Sequence, residues 1–485
     1  MSAVATPVSS ARVSRGRLWE QAAPALAAGL FAAVYSAISL TRFARWETPS
    51  WDNAIFEQAV AGYAHLRAPI VDIKAPGFNQ LGDHFSPILA LLGPVYRVFP
   101  HAQTLLVAQA VLVALSVLPI GRAALRMLGT GRGLAVTGAY GLSFGVQAAI
   151  SADFHEVAFA APLLAFAGEA GLRGRWRAAA CWCLPLLLVK EDLGLTVAAI
   201  GVVAVLAGAR RIGWLLTAAG VIGAAMTVFV IIPAFNRSGA FDYWSLVGGA
   251  GGPSLWHNFF ASGWQFKTGA LAATFGITGF VALRSPWALA TIPTLAWRFA
   301  GDRATFWGVE WQYSLVLMPI VFIAALDGLA RIRARESAGA DTDAGPNRWY
   351  RFAARAAPKL PAAMLAGALV ACLWLPIRGL VDDAAYRPNP RAAAAAAAIA
   401  LMPPGASVET NRGPITHLTS RYRVYWFDSI GGAVTPDFVL SDTHTDTHTD
   451  FDGDLVAFAQ QQHPGATYRL IYDHDGYQLA QRASP

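Results

Sequence analysis

The residues best able to do chemistry in this chain stand in short polar groups between apolar runs. Asp52 follows Trp51 at the start of a stretch with helical spacing, where a carboxylate can act as general base toward an attacking hydroxyl. Helix capping is its competing use, because an acid at a helix N-terminus satisfies free backbone N–H groups. Asp83-His84 precedes Phe85-Ser86-Pro87, and the pair can orient a base, hold a phosphate or contribute to a metal site. Asp153-Phe154-His155-Glu156 lies in a turn between two apolar runs, where charge is costly unless it pairs or serves a polar cavity. Lys190-Glu191-Asp192 breaks the apolar stretch from Leu184 to Gly208 with three consecutive charges. Each such charge costs roughly 2.5–3.5 kcal/mol near a bilayer interior. Lys190 suits a phosphate as a point charge, with mutual neutralisation of the three as the plainer reading. Arg298, with Arg303, Glu310 and Trp311, flanks a further connection and extends that phosphate region. The alternating run Asp442, His444, Asp446, His448, Asp450 has metal-like residue types, but a solvated loop is the favoured reading. Nucleotide-binding loops, nucleophile elbows and zinc-protease helices have no match in the sequence.

The elements that must position these groups are set by composition. The chain has 485 residues, 55% of them hydrophobic and only 14% charged, with a mean hydropathy of +0.42. Soluble domains carry roughly 25% charged residues, so this deficit marks an integral membrane protein. The net charge of +7 comes from arginines crowded into alternate loops. They stand at Arg12, Arg15 and Arg17, at Arg122, Arg126 and Arg132, and at Arg173, Arg175 and Arg177. Arg210 and Arg211 follow, then Arg331, Arg333, Arg335, Arg348, Arg351 and Arg355. Basic loops stay in the cytoplasm, which assigns the reactive groups to the outer face. No basic stripe with interleaved aromatics points to nucleic acid. The three cysteines offer neither metal spacing nor a disulfide framework.

Apolar runs near 18–40, 103–121, 133–150, 157–171, 178–190, 193–209, 213–233, 268–283, 286–300, 312–330 and 360–378 predict about eleven crossings, with the N-terminus inside and the C-terminus outside. The first outer loop, 41–102, contains an amphipathic helix from Trp51 that is expected to lie at the lipid interface, followed by a short piece broken by Pro87 and Pro94. Trp244, Trp256 and Trp264 in the connection 234–267 suit interface anchoring. The segment 331–358 reads as a cytoplasmic loop. Beyond 380 the pattern changes to candidate strands at Ser407–Thr410, Arg423–Phe427, Asp437–Leu440 and Tyr468–Tyr472. Candidate helices follow Arg391 and span Leu455–Gln462, so residues 381–485 predict a small extracytoplasmic α/β domain.

The set Asp52-x-x-Ile55-Phe56-x-Gln58, His84-Phe85-x-Pro87, Asp153-Phe154-His155 and Lys190-Glu191-Asp192 resembles a family of bacterial multi-pass membrane proteins with a domain of unknown function, grouped with glycosyltransferases of the GT-C fold. The likeness covers roughly 30–380, and the tail from His417 is similar to an extension in actinobacterial members. It implies a GT-C-like helical bundle, a polyprenyl-phosphate-linked sugar donor and an acceptor in the cell envelope. It also implies that the base is the acid in the first outer loop, here Asp52. The better-known members have two adjacent acids there, whereas Asn53 follows Asp52; no cofactor is fixed, and a divalent metal ion remains open. The catalytic set expected is Asp52, His84, Asp153, His155 and Glu156, with Lys190, Glu191, Asp192 and Arg298 on the donor phosphate. A transporter or lipid flippase, or a non-catalytic envelope scaffold, are the rival readings.

Overall fold

The computed structural model describes residues 15–247, 254–339, 354–427, 429–444 and 453–483. A helical bundle occupies most of the chain and a five-stranded sheet closes its C-terminal end. Helix α1 (Arg15–Ala44) lies along the helix Ala102–Leu128, and Tyr35 donates to the carbonyl of Gly141 at 2.7 Å. Small residues set the closest packing. A Cβ on Gly194 would lie 2.7 Å from the carbonyl oxygen of Gly220, and one on Gly213 would lie 2.7 Å from that of Gly201. Glycine at these positions lets the helices Leu193–Leu206 and Arg210–Met226 touch backbone to backbone, the usual way helices associate where water provides no drive.

Four described helical segments are long and apolar enough to cross a membrane alone: Ala22–Ala44, Ala102–Leu128, Thr130–Ser151 and Arg210–Phe235. Ala304–Ser314 with Leu317–Glu336 makes a fifth if that pair, bent by 70°, counts as one span. The expectation is about eleven crossings, several of them from runs shorter than a perpendicular span. The apolar runs near 178–190, 193–209 and 360–378 form shorter helices, Trp176–Leu188, Leu193–Leu206 and Leu360–Ala371. The segment expected as a cytoplasmic loop starts as helix, because Leu317–Gly339 runs on through Arg331, Arg333 and Arg335.

The basic groups and the polar loops sit at opposite ends of the same helices. On Ala102–Leu128, Gln109 binds the loop at 153–155, while Arg122 lies 13 residues further on, about 20 Å along the axis. There Arg122, Arg126 (3.5 Å) and Arg173 (3.1 Å) all pair with the buried acid Glu169. Glu169 is an acid on the basic side that charge patterning alone did not anticipate.

In the C-terminal domain, strands β1 (Ser407–Thr410), β2 (Arg423–Trp426), β3 (Phe438–Asp442), β4 (Tyr468–His474) and β5 (Tyr477–Arg482) are ordered β2-β1-β3-β5-β4. The first three are parallel, with Val408 opposite Val424 and Phe438, and β4–β5 is an antiparallel hairpin. Its turn, Asp475-Gly476, has two positive φ angles, 47° and 81°, the conformation a two-residue hairpin loop requires. Alternation along β3 sends Phe438 and Leu440 to one core and Val439 to another, against the helix Leu455–Gln462.

Helix α2 (Trp51–Ala64) joins the two parts. Phe56, Val60 and Ala64, four residues apart, enter the bundle core, whereas Ala54, Ile55 and Ala59 pack under the sheet with Val408, Phe438 and Leu440. The expectation of an interfacial helix with its apolar side toward lipid is therefore corrected. Its apolar residues cover two faces, and protein occupies both. Hydrogen bonds reinforce the contact, Asn53 Nδ2 to Thr416 Oγ1 (2.7 Å) and Gln58 Nε2 to the carbonyl of Val424 (3.1 Å).

Glu57 is buried at this seam, accepting from Tyr96 Oη (2.8 Å) and from Thr419. Burial pushes its carboxyl up to about 7, against the pull of those two hydroxyls. In the fold it therefore keeps its proton over a range where the unfolded chain, near 4.5, has lost it. Its contribution is full below the unfolded value and is lost as pH rises through about 7. Glu57→Gln should remove that loss, leaving the variant more stable than the parent at pH 8 by an amount on the order of 3 kcal/mol. Thermal unfolding of both proteins from pH 5 to 8 checks this; parallel curves would discount it.

Candidate active site

Four loops and the first turn of α2 meet at the end of the bundle under the sheet. Asp52 does not cap its helix, because its Oδ2 lies 3.2 Å from His155 Nε2. The carboxylate is 42% exposed, open enough to meet a substrate, while His155 is almost fully buried. The backbone N–H of His155 donates to Gln109 Oε1 (2.9 Å), and the ring Nδ1 faces the carbonyl of Asp153 at 3.2 Å, which leaves Nε2 for Asp52. Burial alone would push the Asp52 carboxyl up, but His155, helped by Lys190 and His84, outweighs it and the net shift is down. His155 moves up, because Asp52 overcomes the burial that disfavours its charged form.

Asp153 has a different task from the one expected. Its carboxylate accepts the N–H of Ser50 at 2.7 Å, and its own backbone is left-handed, φ 68°. Ser50 (φ 68°) is the residue from which α2 springs. Asp153 therefore positions the helix that carries Asp52, and burial raises its carboxyl to about 7.

Lys190 Nζ donates to Glu156 Oε1 at 2.6 Å, and both residues line a narrow cleft with His155, Asp192, Thr294, Trp297, Gln312 and Tyr313. Its free space is about 20 Å³. Burial raises the Asp192 carboxyl to about 6. Beside it, His84 Nδ1 meets Glu191 Oε1 (2.8 Å) and Nε2 meets Tyr243 Oη (2.9 Å). Tyr243 reaches Asp83 Oδ1 at 3.3 Å, and Lys74 pairs with the other oxygen of Asp83. With both ring nitrogens engaged by protein, His84 holds this wall together. Burial and Lys190 lower its pKa, but Glu191 and Asp83 outweigh them, so the net shift is up. A close backbone approach sets the loop: a Cβ on Gly82 would lie 2.6 Å from the backbone of Phe235 and Asn236.

Arg298 is placed otherwise than expected. It is fully buried and donates to the carbonyls of Phe306 (2.8 Å) and Gly308 (2.5 Å) and to Ser314 Oγ (3.3 Å). Its guanidinium braces the chain leading to Gln312 and Tyr313, so it shapes the cleft from behind. Of the alternating Asp/His run, Asp442 ends β3 and pairs with Arg391, while Asp446, His448 and Asp450 lie outside the described residues. Among the described residues no three His, Cys, Asp or Glu side chains converge to hold a metal ion. Gln109, Tyr243, Thr294, Trp297, Gln312 and Tyr313 belong to the site and were missed. Only Gln109, an amide enclosed by the apolar run 103–121, left a trace in the sequence.

Apolar spans that carry a buried, charge-paired cluster at one end define a polytopic membrane protein. The chain belongs to the family described as "Predicted membrane protein (DUF2079)", matched over residues 42–479. No curated protein matches it. Among solved structures it is similar to the crystal structure of ArnT from Cupriavidus metallidurans bound to undecaprenyl phosphate, at 15% identity over 93% of this chain and 97% of that one, TM-score 0.47. The same protein in the apo state gives 13% identity, 93% and 97% coverage and a TM-score of 0.48.

Proposed function

We propose that the protein is a membrane glycosyltransferase that moves a sugar from a polyprenyl-phosphate-linked donor to an acceptor at the outer face of the membrane. The observation that carries this reading is the pairing of the part-exposed Asp52 carboxylate with His155, which lines one cleft together with the Lys190 ammonium. The resemblance to GT-C enzymes supports it. In this reading the shorter apolar helices complete a GT-C-like bundle of about eleven crossings, and the sheet domain, residues 381–485, lies outside the cytoplasm. Arginines at the far ends of the helices favour that orientation.

An acceptor hydroxyl attacks the anomeric carbon, the carbon–oxygen bond to the lipid phosphate breaks, and the phosphate leaves with the bonding pair. Asp52 takes the hydroxyl proton as the new glycosidic bond forms. His155 holds the carboxylate in place, and Lys190, screened by Glu156, stabilises the charge that grows on the departing phosphate. Asp153, His84 and Arg298 fix the geometry. Glu191 and Asp192 flank the ammonium. Placement of Asp52, His84, His155, Glu156 and Lys190 together at one end of the bundle favours transfer over a path through it. The test is a profile of lipid-linked sugars in cells that lack the protein. One polyprenyl-phosphate sugar should accumulate and fall again when the gene is restored; unchanged pools of every such carrier would overturn the proposal.

A further inference from the structure

The cleft beside Asp52 has more unsatisfied hydrogen-bonding groups than its space can serve. Six of the residues lining it present a buried polar atom without a hydrogen-bond partner: His155 Nε2, Glu156 Oε2, Asp192 Oδ1, Thr294 Oγ1, Trp297 Nε1 and Gln312 Oε1. His155 Nε2 faces Asp52 at 3.2 Å, which leaves five directed at nothing. A buried polar group without a partner is expensive, so a concentration of them in one cleft needs an explanation. The free space of about 20 Å³ fits roughly one water, and a water makes about three hydrogen bonds. Solvent at this volume leaves part of the set unmet. A ligand with several polar groups would meet the rest once the walls part to admit it.

The chemistry of the five atoms restricts what the ligand can be. Glu156 Oε2 and Gln312 Oε1 only accept, and Asp192 Oδ1 accepts when ionised. The Trp297 indole N–H only donates, and the Thr294 hydroxyl does either. A partner rich in hydroxyls matches this mixture, since each hydroxyl gives one hydrogen and accepts through its oxygen. The rings of Trp297 and Tyr313, 5.6 Å apart and edge to face, add aromatic surface to the cleft, and a sugar ring packs against an aromatic face. A carboxylate on the ligand would meet Glu156 and Asp192, with a single ammonium, Lys190, already committed to Glu156.

We propose that this cleft is the subsite for the transferred sugar and that it selects a hydroxyl-rich ring carrying no negative charge. The inference rests on the transferase reading and adds the class of sugar to it. Thr294, Trp297 and Gln312 read the ring hydroxyls, while Glu156 and Asp192 exclude uronic acids.

Binding to the full-length protein in nanodiscs tests this with bare polyprenyl phosphate and its glucose, galactose, mannose, arabinose, glucuronate and galacturonate conjugates. At least one neutral conjugate should bind about ten-fold tighter than the bare carrier and than either uronate. Thr294→Val and Gln312→Ala should erase most of the gain over the bare carrier and leave the affinity for the carrier itself unchanged. Asp192→Asn should narrow the neutral-to-uronate ratio about ten-fold, a readout that a merely structural role would not move. A uronate conjugate that binds as well as the best neutral one overturns the inference, as does an equal loss of all ligands in the three variants. If the bare carrier binds but no sugar adds to it, the subsite fails while the lipid-phosphate reading stands. If nothing binds, both fall.

Discussion

Asp52→Asn should lower sugar transfer by about 10²–10⁴-fold, the range that loss of a general base commonly produces, with the protein still inserted and folded. Asparagine keeps the size of the side chain, and the position is 42% exposed, so little packing is lost. What disappears is the carboxylate that receives the proton. The lowered pKa of Asp52 gives the prediction a second edge. The base stays ionised throughout the neutral range, so its own protonation should not limit transfer as pH falls to 5. His155→Gln removes the partner that depresses Asp52, and the acid limb should move to higher pH. Initial rates in membrane vesicles, normalised to protein, measure both. Transfer within ten-fold of the parent in the asparagine variant would remove Asp52 as the base.

Lys190→Met should destabilise the protein by about 3–5 kcal/mol, because it strands a buried carboxylate. Glu156 is 1% exposed, and Lys190 Nζ sits 2.6 Å from its Oε1. Removing the acid as well, in Lys190→Met/Glu156→Gln, should restore most of that stability, since the cost lies in the unpaired charge more than in the missing bond. Binding of a polyprenyl phosphate should stay lost in the double variant. Separate recovery of melting temperature and of lipid binding tells structural pairing from phosphate recognition. If lipid affinity returns along with stability, Lys190 is only a counter-ion for Glu156.

The polar motifs were legible because charge in an apolar chain is conspicuous. His155, Glu156, Lys190 and Asp192 line one cleft, and Asp52 joins it through His155. Sequence could not divide their tasks. Asp153 and His155 are two residues apart, yet one carboxylate turns back to Ser50 and the other side chain faces Asp52, a split made by the left-handed backbone at Asp153. Arg298 carried the right charge for a phosphate and spends it on backbone carbonyls, a pairing local pattern does not encode. Four strands were placed within a few residues. The fifth, Tyr477–Arg482, was overlooked, since Gly476 and the alternation of Tyr477, Leu479 and Gln481 gave too short a signal after Tyr468–His474. Helix α2 was misread for a physical reason, because an apolar flank reads the same whether lipid or a sheet will cover it.

That double burial of α2 bears on how the molecule can be altered. The seat of Asp52 is gripped from below by the bundle and from above by Thr416 and Val424. A chimera that kept these spans and borrowed another protein's tail would therefore lose the roof over its own reactive acid. The two parts have to be inherited, and engineered, as one piece.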